Sequence, residues 1–320
     1  MSDYDTITVQ PLTSAIGATV DGVDATKPLP PRQAKEIRKA LLDHLVIFLR
    51  GQDLTEAQQL SFAANFAPLN PGSIDPRPNP NPSYFVNLED TPQSPPKADR
   101  WHTDVPFVAQ PPDIAFLNMR VTPRVGGDTL WLSLYAAHDA LSPVMRDLLT
   151  PLRLDIGLGA SAATIKELYG DDYYNAVVVP FTSVHHPLVR VHPETGRRAL
   201  FLCGSFMNRI VGLSNDESDT LLRFLQLRLD DPNIQVRWKW QPYDLAIWDE
   251  RCTNHRAMSD HYPAHRLIRR CLAGAGTPTG VDPGIEKTPE ETTTCTTASW
   301  YPTTVHSATG ERCVTSSTQP

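Results

Sequence analysis

The sequence predicts a mainly β protein with flanking helices, and its strand pattern suits a jelly roll. Short apolar or alternating runs recur along the chain between Pro, Gly and Asp turns, which favours strands over helices. The 320 residues have 40% hydrophobic content, enough to bury one large core. The predicted strands are Tyr84–Leu88, Ile114–Val121, Thr129–Leu132, Leu188–Val191, Ala199–Leu202, Gln235–Trp238, Leu245–Trp248 and Leu267–Ala273.

Helical patterns precede these strands. Pro31–Leu42 has apolar residues at helical spacing and predicts an amphipathic helix. It runs into Leu45–Leu49, an apolar segment that predicts a buried strand ended by Gly51. Thr55 and Gln58 form a capping-box pattern, so a second helix begins there.

A third helix follows a second capping-box pattern, at Ser214 and Glu217. Its leucine stripe indicates packing in the core or against a second copy. The stripe consists of Leu221, Leu222, Leu225 and Leu229. Residues 70–83 and 89–100 are rich in turn-forming residues and predict loops, which lie next to the motif discussed below and can carry specificity.

The composition of the C-terminal segment differs from that of the rest of the chain. From Thr277 onward Thr, Pro, Ser and Glu dominate without amphipathic periodicity. We therefore expect residues 1–276 to form one domain and residues 277–320 to form a disordered tail, in which Trp300-Tyr301 is a candidate docking element.

Charge and cysteine content exclude several classes of function. The formal net charge of −7 offers no basic footprint for nucleic acid, although a local basic pocket can still attract a small anion. The sequence has neither a membrane-spanning apolar run nor a signal-peptide pattern, so we expect a cytoplasmic protein without membrane contact. The five cysteines are irregularly spaced and predict free thiols, with Cys252 and Cys271 packed rather than bound to metal.

The segment Trp101-His102-Thr103-Asp104 is the most informative chemical feature. Residues i and i+2 of an extended segment share a face, so His102 and Asp104 can reach one ion. With His255 they would form a set of two histidines and one carboxylate, which leaves positions open for a co-substrate and O2 and suits non-haem Fe(II) oxygenases. A His-x-Asp pair alone is weak, since ordinary solvated turns also contain it.

Further motifs carry a resemblance to a known family. They are WHTDVPF at 101–107, GGDTLW at 126–131, VHPETGRRALF at 191–201, IWDERCTNHRA at 247–257 and the arginines at 266 and 270. Through them the chain resembles the TauD/TfdA family of Fe(II)- and 2-oxoglutarate-dependent dioxygenases, and is closest in pattern to taurine and alkylsulfate dioxygenases. The resemblance implies a cupin-like double-stranded β-helix with outer helices, and a homo-oligomer.

The same resemblance implies roles for individual residues. His102, Asp104 and His255 would bind the iron, while Arg266 and Thr129 would hold the distal carboxylate of 2-oxoglutarate. A guanidinium suits this task because its planar fork binds a carboxylate with two hydrogen bonds.

Three residues match substrate-contacting positions of the family. Arg270 corresponds to a position that contacts the anionic group of the primary substrate or helps to position 2-oxoglutarate. Val105 and Phe206 are apolar and have core packing as their alternative. Alternation along the strand puts Arg266 and Arg270 on the pocket face and Arg269 on the opposite face.

Two departures from the family pattern affect the prediction. Asn70-Pro71-Gly72 stands where the taurine enzyme has a histidine, and Ala98 or a neighbour stands where it has an asparagine, which argues against taurine as substrate. Glu250 stands in WDER where relatives usually read WDNR, and we expect its side chain to point outward.

The expected activity is hydroxylation or oxidative cleavage of a small organic anion, such as an alkyl sulfate, a sulfonate or an aryloxy-acid. Iron is the expected metal, 2-oxoglutarate and O2 are the expected co-substrates, and succinate and CO2 the coproducts. One alternative keeps these cofactors but desaturates, cyclises or hydroxylates an amino acid or natural product. Another is a non-catalytic binding protein on the same scaffold, since fold alone does not prove activity.

Overall fold

The computed structural model describes residues 4–73, 81–159 and 161–281. Over these residues the strands are β1 (Thr8–Pro11), β2 (Ala18–Asp21), β3 (Val46–Leu49), β4 (Leu69–Asn70), β5 (Phe85–Asp90), β6 (Ile114–Val121), β7 (Thr129–Ser133), β8 (Arg153–Ile156), β9 (Val184–Pro187), β10 (Val189–Val191), β11 (Arg198–Leu200), β12 (Met207–Ile210), β13 (Gln235–Trp238), β14 (Leu245–Asp249), β15 (Thr253–Ala257), β16 (Arg266–Ala273) and β17 (Thr279–Gly280). The α-helices are α1 (Pro31–His44), α2 (Glu56–Ala63), α3 (Leu134–Asp139), α4 (Pro143–Leu149), α5 (Ser161–Tyr173) and α6 (Asn215–Gln226).

The strands form one large sheet and three smaller ones. The large sheet runs β1-β2-β3-β14-β6-β16, and both β4 and β5 pair with β16. The smaller sheets are β13-β7-β15, β12-β8-β9 and β11-β10-β17. Within the described residues β2 and β3 pair in parallel, while the other strand pairs are antiparallel. This arrangement confirms the predicted jelly roll.

The core lies on both faces of the large sheet, which is why β3 and β14 are buried at every position. On the inner face Phe48 packs in one cluster with Trp131 of the smaller sheets. On the outer face Ile47 packs with Leu41 of α1 and Phe62 of α2. The inner cluster therefore fills the jelly roll, and the outer cluster attaches the flanking helices.

The predicted strands are present, and their ends lie within two residues of the predicted ones. Both capping boxes are also present, at Thr55 and at Ser214. The sequence did not predict β1, β2, β4, β8, β9, β12 and β17, nor α3 to α5. Nor did it predict bounds for β15, whose sequence Thr-Asn-His-Arg-Ala is polar although its first three residues are buried. Such strands are short or have polar residues on a buried face, so they lack the apolar periodicity by which strands are predicted.

Parts of the predicted loops and tail lie outside the described residues. These parts are residues 74–80 and residues 282–320, including Trp300-Tyr301. The chain remains paired just beyond the predicted boundary at 276, since Thr279 and Gly280 pair with β10. Among the described residues, none of the helices is both long and apolar enough to cross a bilayer.

Candidate active site

His102, Asp104 and His255 converge in the structure. An isolated antiparallel bridge places His102 opposite His255, with backbone N–H···O distances of 3.0 and 2.9 Å. Thr103 points to the other side, where its hydroxyl donates to Asn254 Oδ1 at 2.7 Å. The Oδ1 atom of Asp104 then lies 3.8 Å from His102 Nε2 and 4.0 Å from His255 Nε2. His102 and Asp104 therefore share one face, as predicted for residues i and i+2. His255, opposite His102, brings a third potential ligand atom to the same place.

The protonation of these groups suits a cation. His102 Nδ1 donates to the Arg100 carbonyl at 2.7 Å, which leaves the lone pair on Nε2, the atom that faces Asp104. Burial, with a contribution from His102, lowers the pKa of His255 to about 3. Burial opposes ionisation of Asp104, but the positive charge of Arg270 holds its pKa below the ordinary value. Among the described residues the buried Asp104 Oδ2 has no hydrogen-bond donor, and such an orphaned acceptor beside two imidazoles fits a bound metal ion.

Arg270 lies beside this cluster. Its Nη1 donates to Asp104 Oδ1 at 2.7 Å, and its side chain is 18% exposed. Its Nε has no partner among the described residues. The guanidinium therefore keeps donors available next to the three convergent residues.

Arg266 and Thr129 form a second polar group. Arg266 Nε donates to the Gly127 carbonyl at 3.1 Å, and its Nη2 lies 3.4 Å from Thr129 Oγ1. A Cβ on Gly127 would lie 3.2 Å from Arg266 Cδ and 2.9 Å from Pro123, and its φ is +72°, so glycine permits this close approach. Trp240 Nε1 donates to Thr129 Oγ1 at 2.9 Å.

Strand register relates the two groups. In the β15–β7 pair His255 lies opposite Trp131, and Ala257 lies opposite Thr129. Residues two apart on a strand share a face, so Thr129 lies on the same face as His255, one pair farther along. On β16 Arg266 and Arg270 share the inner face, while Arg269 points the other way and donates to Gln59 Oε1 at 2.8 Å. The predicted alternation of these arginines is confirmed.

Val105 and Phe206 are apolar neighbours of the ligand segments. Val105 follows Asp104 directly, is 8% exposed and has a φ of +49°, a strained value for a β-branched residue. A Cβ added to Gly72 would lie 3.5 Å from its Cγ2. Phe206 packs against Phe107 with ring centroids 5.2 Å apart. Both predicted substrate residues also contribute to the inner core or pack against it.

The expectation that Glu250 points outward is wrong. Its side chain is fully buried, where Oε1 accepts a hydrogen bond from Trp248 Nε1 at 2.7 Å and Oε2 accepts one from the Asp104 backbone N–H at 3.1 Å. Burial, and then the charge of Asp104, raises the pKa of Glu250 well above its ordinary value. The outward prediction failed because the turn after β14 bends this residue back toward the ligand segment, which local alternation does not show.

A second group of candidate metal ligands, His192, Asp249 and Cys252, is buried nearby. Two backbone N–H groups donate to His192 Nδ1, so its Nε2 donates to Asp249 at 3.0 Å. Arg251 donates to both carboxylate oxygens of Asp249 at 2.9 and 2.6 Å. Burial raises the pKa of Cys252 well above its ordinary value. These groups satisfy one another, which supports the predicted packing role of Cys252.

Four other histidines have ordinary contacts. His186 Nε2 donates to the Val108 carbonyl at 2.9 Å, and His265 Nε2 lies 2.8 Å from Glu89. His185 is exposed. His261 Nε2 lies 3.2 Å from Asp90 Oδ2, on the carboxylate that also faces Arg266.

A jelly roll in which two histidines and one aspartate converge beside two arginines is an arrangement typical of enzymes that bind a single metal ion with open coordination positions. The chain belongs to the taurine catabolism dioxygenase TauD, TfdA family, whose sequence profile matches residues 8–272.

Individual relatives agree with this membership. An alkylsulfatase from Acinetobacter baylyi is 33% identical over 84% of this chain and 85% of its own length. An alpha-ketoglutarate-dependent sulfate ester dioxygenase from Pseudomonas putida is 34% identical over 88% of this chain and 93% of its own. The crystal structure of a taurine dioxygenase from Burkholderia xenovorans superposes with a TM-score of 0.72 at 33% identity, covering 86% of this chain and 93% of that one.

Proposed function

We propose that the protein is an Fe(II)- and 2-oxoglutarate-dependent dioxygenase that hydroxylates or oxidatively cleaves a small organic anion, with succinate and CO2 as coproducts. One observation carries the proposal. The potential ligand atoms of His102, Asp104 and His255 converge on the face of the jelly roll that also holds Thr129.

In this proposal His102 Nε2, His255 Nε2 and an Asp104 oxygen hold the iron. When bound, iron and 2-oxoglutarate supply the activation of O2 and the oxidising power for attack on a C–H bond. Burial keeps the His255 imidazole neutral and the Arg270 charge keeps Asp104 ionised, so that ligation by these two groups needs no proton loss near neutral pH. The hydrogen bond from His102 Nδ1 to the Arg100 carbonyl fixes the orientation of that ring.

Arg266 and Thr129 bind the distal carboxylate of 2-oxoglutarate. The Arg266 side chain is 4% exposed and is directed by Gly127 and Thr129, so its fork is already ordered. Asp90 lies 3.6 Å from Arg266 Nη1 and offsets part of the cost of burying the guanidinium. Such an ordered donor set binds a carboxylate with little further loss of side-chain freedom.

Arg270 pairs with the anionic group of the primary substrate. Among the described residues Val105, next to Asp104, is apolar, and the Asn70 amide is engaged, since it donates to the Gly274 carbonyl at 2.7 Å and accepts from the Gly72 N–H at 2.8 Å. An anion with an apolar remainder therefore fits better than one with a second charged group. Sulfate esters are such compounds, and the names of the alkylsulfatase and sulfate ester dioxygenase relatives support this substrate class.

The test is an anaerobic titration of the protein with Fe(II) and 2-oxoglutarate, in which the weak visible metal-to-ligand charge-transfer band is followed. O2 is then admitted with a panel of alkyl sulfates, sulfonates, aryloxy-acids and amino acids. We expect the band, and release of succinate stimulated by one class of anion together with its oxidised product. The His102→Ala variant serves as the control without a complete ligand set. Absence of the band in the wild-type protein would refute the proposal and favour a non-catalytic binding protein.

A further inference from the structure

Glu250 touches both segments that carry the proposed iron ligands. Its Oε2 accepts the backbone N–H of Asp104 at 3.1 Å, and its Oε1 accepts the indole N–H of Trp248 at 2.7 Å. The Trp248 ring in turn lies 4.8 Å, centroid to centroid, from the ring of His255. One buried carboxyl group thus links the Asp104 backbone to the aromatic surface that supports His255.

The position of Glu250 is set independently of the Asp104 loop. Its backbone N–H donates to the Asp113 carbonyl at 2.9 Å, and its own carbonyl accepts a short hydrogen bond from Arg190. Arg190 is 4% exposed and lies over the ring of Phe201. The backbone of Glu250 is therefore held in place by contacts that do not involve the Asp104 loop.

The Asp104 loop lacks comparable support of its own. Asp104 follows the two-residue bridge at His102 and precedes Val105, which has a φ of +49°. Its N–H, in a residue that is 4% exposed, is bonded to Glu250 rather than to a strand partner. A buried backbone donor needs an acceptor, and the carboxyl group supplies it at the residue that provides the oxygen ligand.

We propose that Glu250 is a positioning residue that holds Asp104 and the Trp248–His255 ring pair in fixed relation, so that the ligand atoms are in place before the metal binds. The inference rests on the proposed function, because it concerns the same metal site. A carboxyl group suits the task since each of its oxygens keeps an acceptor lone pair whether or not the group is protonated, whereas the amide nitrogen of a glutamine can only donate. Glu250→Gln therefore sets a donor against one of the two N–H groups while it preserves side-chain volume.

The experiment uses Co(II) as the probe with full-length protein under anaerobic conditions. Its absorption bands report ligand geometry as well as affinity. For Glu250→Gln we expect the Co(II) Kd to rise about tenfold or more, since groups that orient metal ligands typically have effects of this size. We also expect altered Co(II) bands, which a purely structural role would leave unchanged. Trp248→Phe removes one of the two donors and keeps an aromatic ring, so a smaller rise is expected.

Asp244 provides a matched control. It is also a buried carboxyl that accepts an indole N–H, from Trp238 at 3.2 Å, and a backbone N–H, from Gln241 at 2.8 Å. Within the described residues its side chain accepts hydrogen bonds from Arg50, Trp238 and Gln241, and none of these lies in the ligand segments. Asp244→Asn should lower the melting temperature and leave the Co(II) Kd and bands unchanged.

The outcomes separate the two proposals. If wild-type protein does not bind Co(II) more tightly than His102→Ala, the proposed function fails. If wild-type protein binds Co(II) and Glu250→Gln shows the same Kd and bands, the positioning role is overturned while the metal site stands. If Glu250→Gln does not fold, Trp248→Phe becomes the test. An unchanged Co(II) Kd and spectrum of that variant then overturn the positioning role. If the Co(II) Kd of Asp244→Asn rises as much as that of Glu250→Gln, the positioning role is also overturned, since general destabilisation would then explain both changes.

Discussion

The hydroxyl of Thr129 provides the sharpest prediction about 2-oxoglutarate binding. Its oxygen lies 2.9 Å from the donor Trp240 Nε1 and 3.4 Å from the donor Arg266 Nη2. A hydroxyl has two acceptor lone pairs and one proton, so these contacts use the lone pairs and leave the proton to donate. A carboxylate bound by Arg266 is the natural acceptor. Thr129→Val preserves the shape of the side chain and removes this donor.

The structure predicts two separable effects of Thr129→Val. Loss of a hydrogen bond to a charged group costs about 1.5–3 kcal/mol, which corresponds to a roughly 10- to 150-fold higher Kd for 2-oxoglutarate. The same change leaves the indole N–H of Trp240, a residue 7% exposed, without its acceptor. That orphaned donor costs about 1–3 kcal/mol of folding stability. Adding Trp240→Phe removes the orphaned donor and should restore stability without restoring affinity.

Two measurements check this reasoning. The 2-oxoglutarate Kd is read from the charge-transfer band of the Fe(II)-loaded protein, and the free energy of unfolding comes from denaturant titration of the metal-free protein. Trp240→Phe alone serves as the control and should keep a Kd near that of the wild type. The reasoning is refuted if Thr129→Val binds 2-oxoglutarate as tightly as wild type, or if the double variant regains affinity along with stability.

Four other predictions concern the ligands, the substrate, pH and the tail. Asp104→Ala should lose the charge-transfer band; a band of normal intensity would mean that the aspartate is not a ligand. Arg270→Gln should raise the KM for a sulfate ester about tenfold or more while changing the 2-oxoglutarate Kd little, because it removes a charged hydrogen-bond donor; equal changes in both constants would contradict a substrate role. Burial lowers the pKa of His186, so the folded state resists its protonation and stability falls as pH drops below about 6.5. His186→Gln should flatten this dependence by up to about 1.4 kcal/mol per pH unit in denaturation curves, and an unchanged slope would count against it. Deletion of residues 282–320 should leave the 2-oxoglutarate Kd unchanged if the segment is a disordered tail. A higher Kd would indicate that the segment has a role at the site.

Much of the fold and of the candidate site could be predicted from the sequence. Apolar runs such as Ile114–Val121 identified strands because both of their faces contribute to cores, and the two capping boxes marked helix starts. The His-x-Asp pattern together with the family resemblance predicted that His102, Asp104 and His255 form one cluster. Alternation along one strand assigned Arg266 and Arg270 to the same face.

The features that escaped prediction depend on contacts between distant segments. Because Glu250 is a charged residue that follows a strand, the sequence suggests a solvated turn. The fold instead places its carboxyl group against the backbone of Asp104, which is 146 residues away in the sequence. The Trp240–Thr129 hydrogen bond occupies a lone pair of the hydroxyl, and it too joins residues far apart in the sequence, 111 positions from each other. The network of His192 and Asp249 resembles a metal site in composition, and only its hydrogen bonds show that its lone pairs are used. The expected homo-oligomer stays a prediction.

The long sequence separations within the site also bear on how the protein becomes functional during synthesis. The Arg270–Asp104 contact spans 166 residues and the Arg266–Thr129 contact spans 137. A nascent chain therefore cannot form either pair until β16 has left the ribosome, although most of the jelly roll has already emerged. Contacts of such separation also require loop closure that slows folding. Iron and 2-oxoglutarate, which bind the folded state, would then act late in biogenesis and stabilise a chain whose strands have already met.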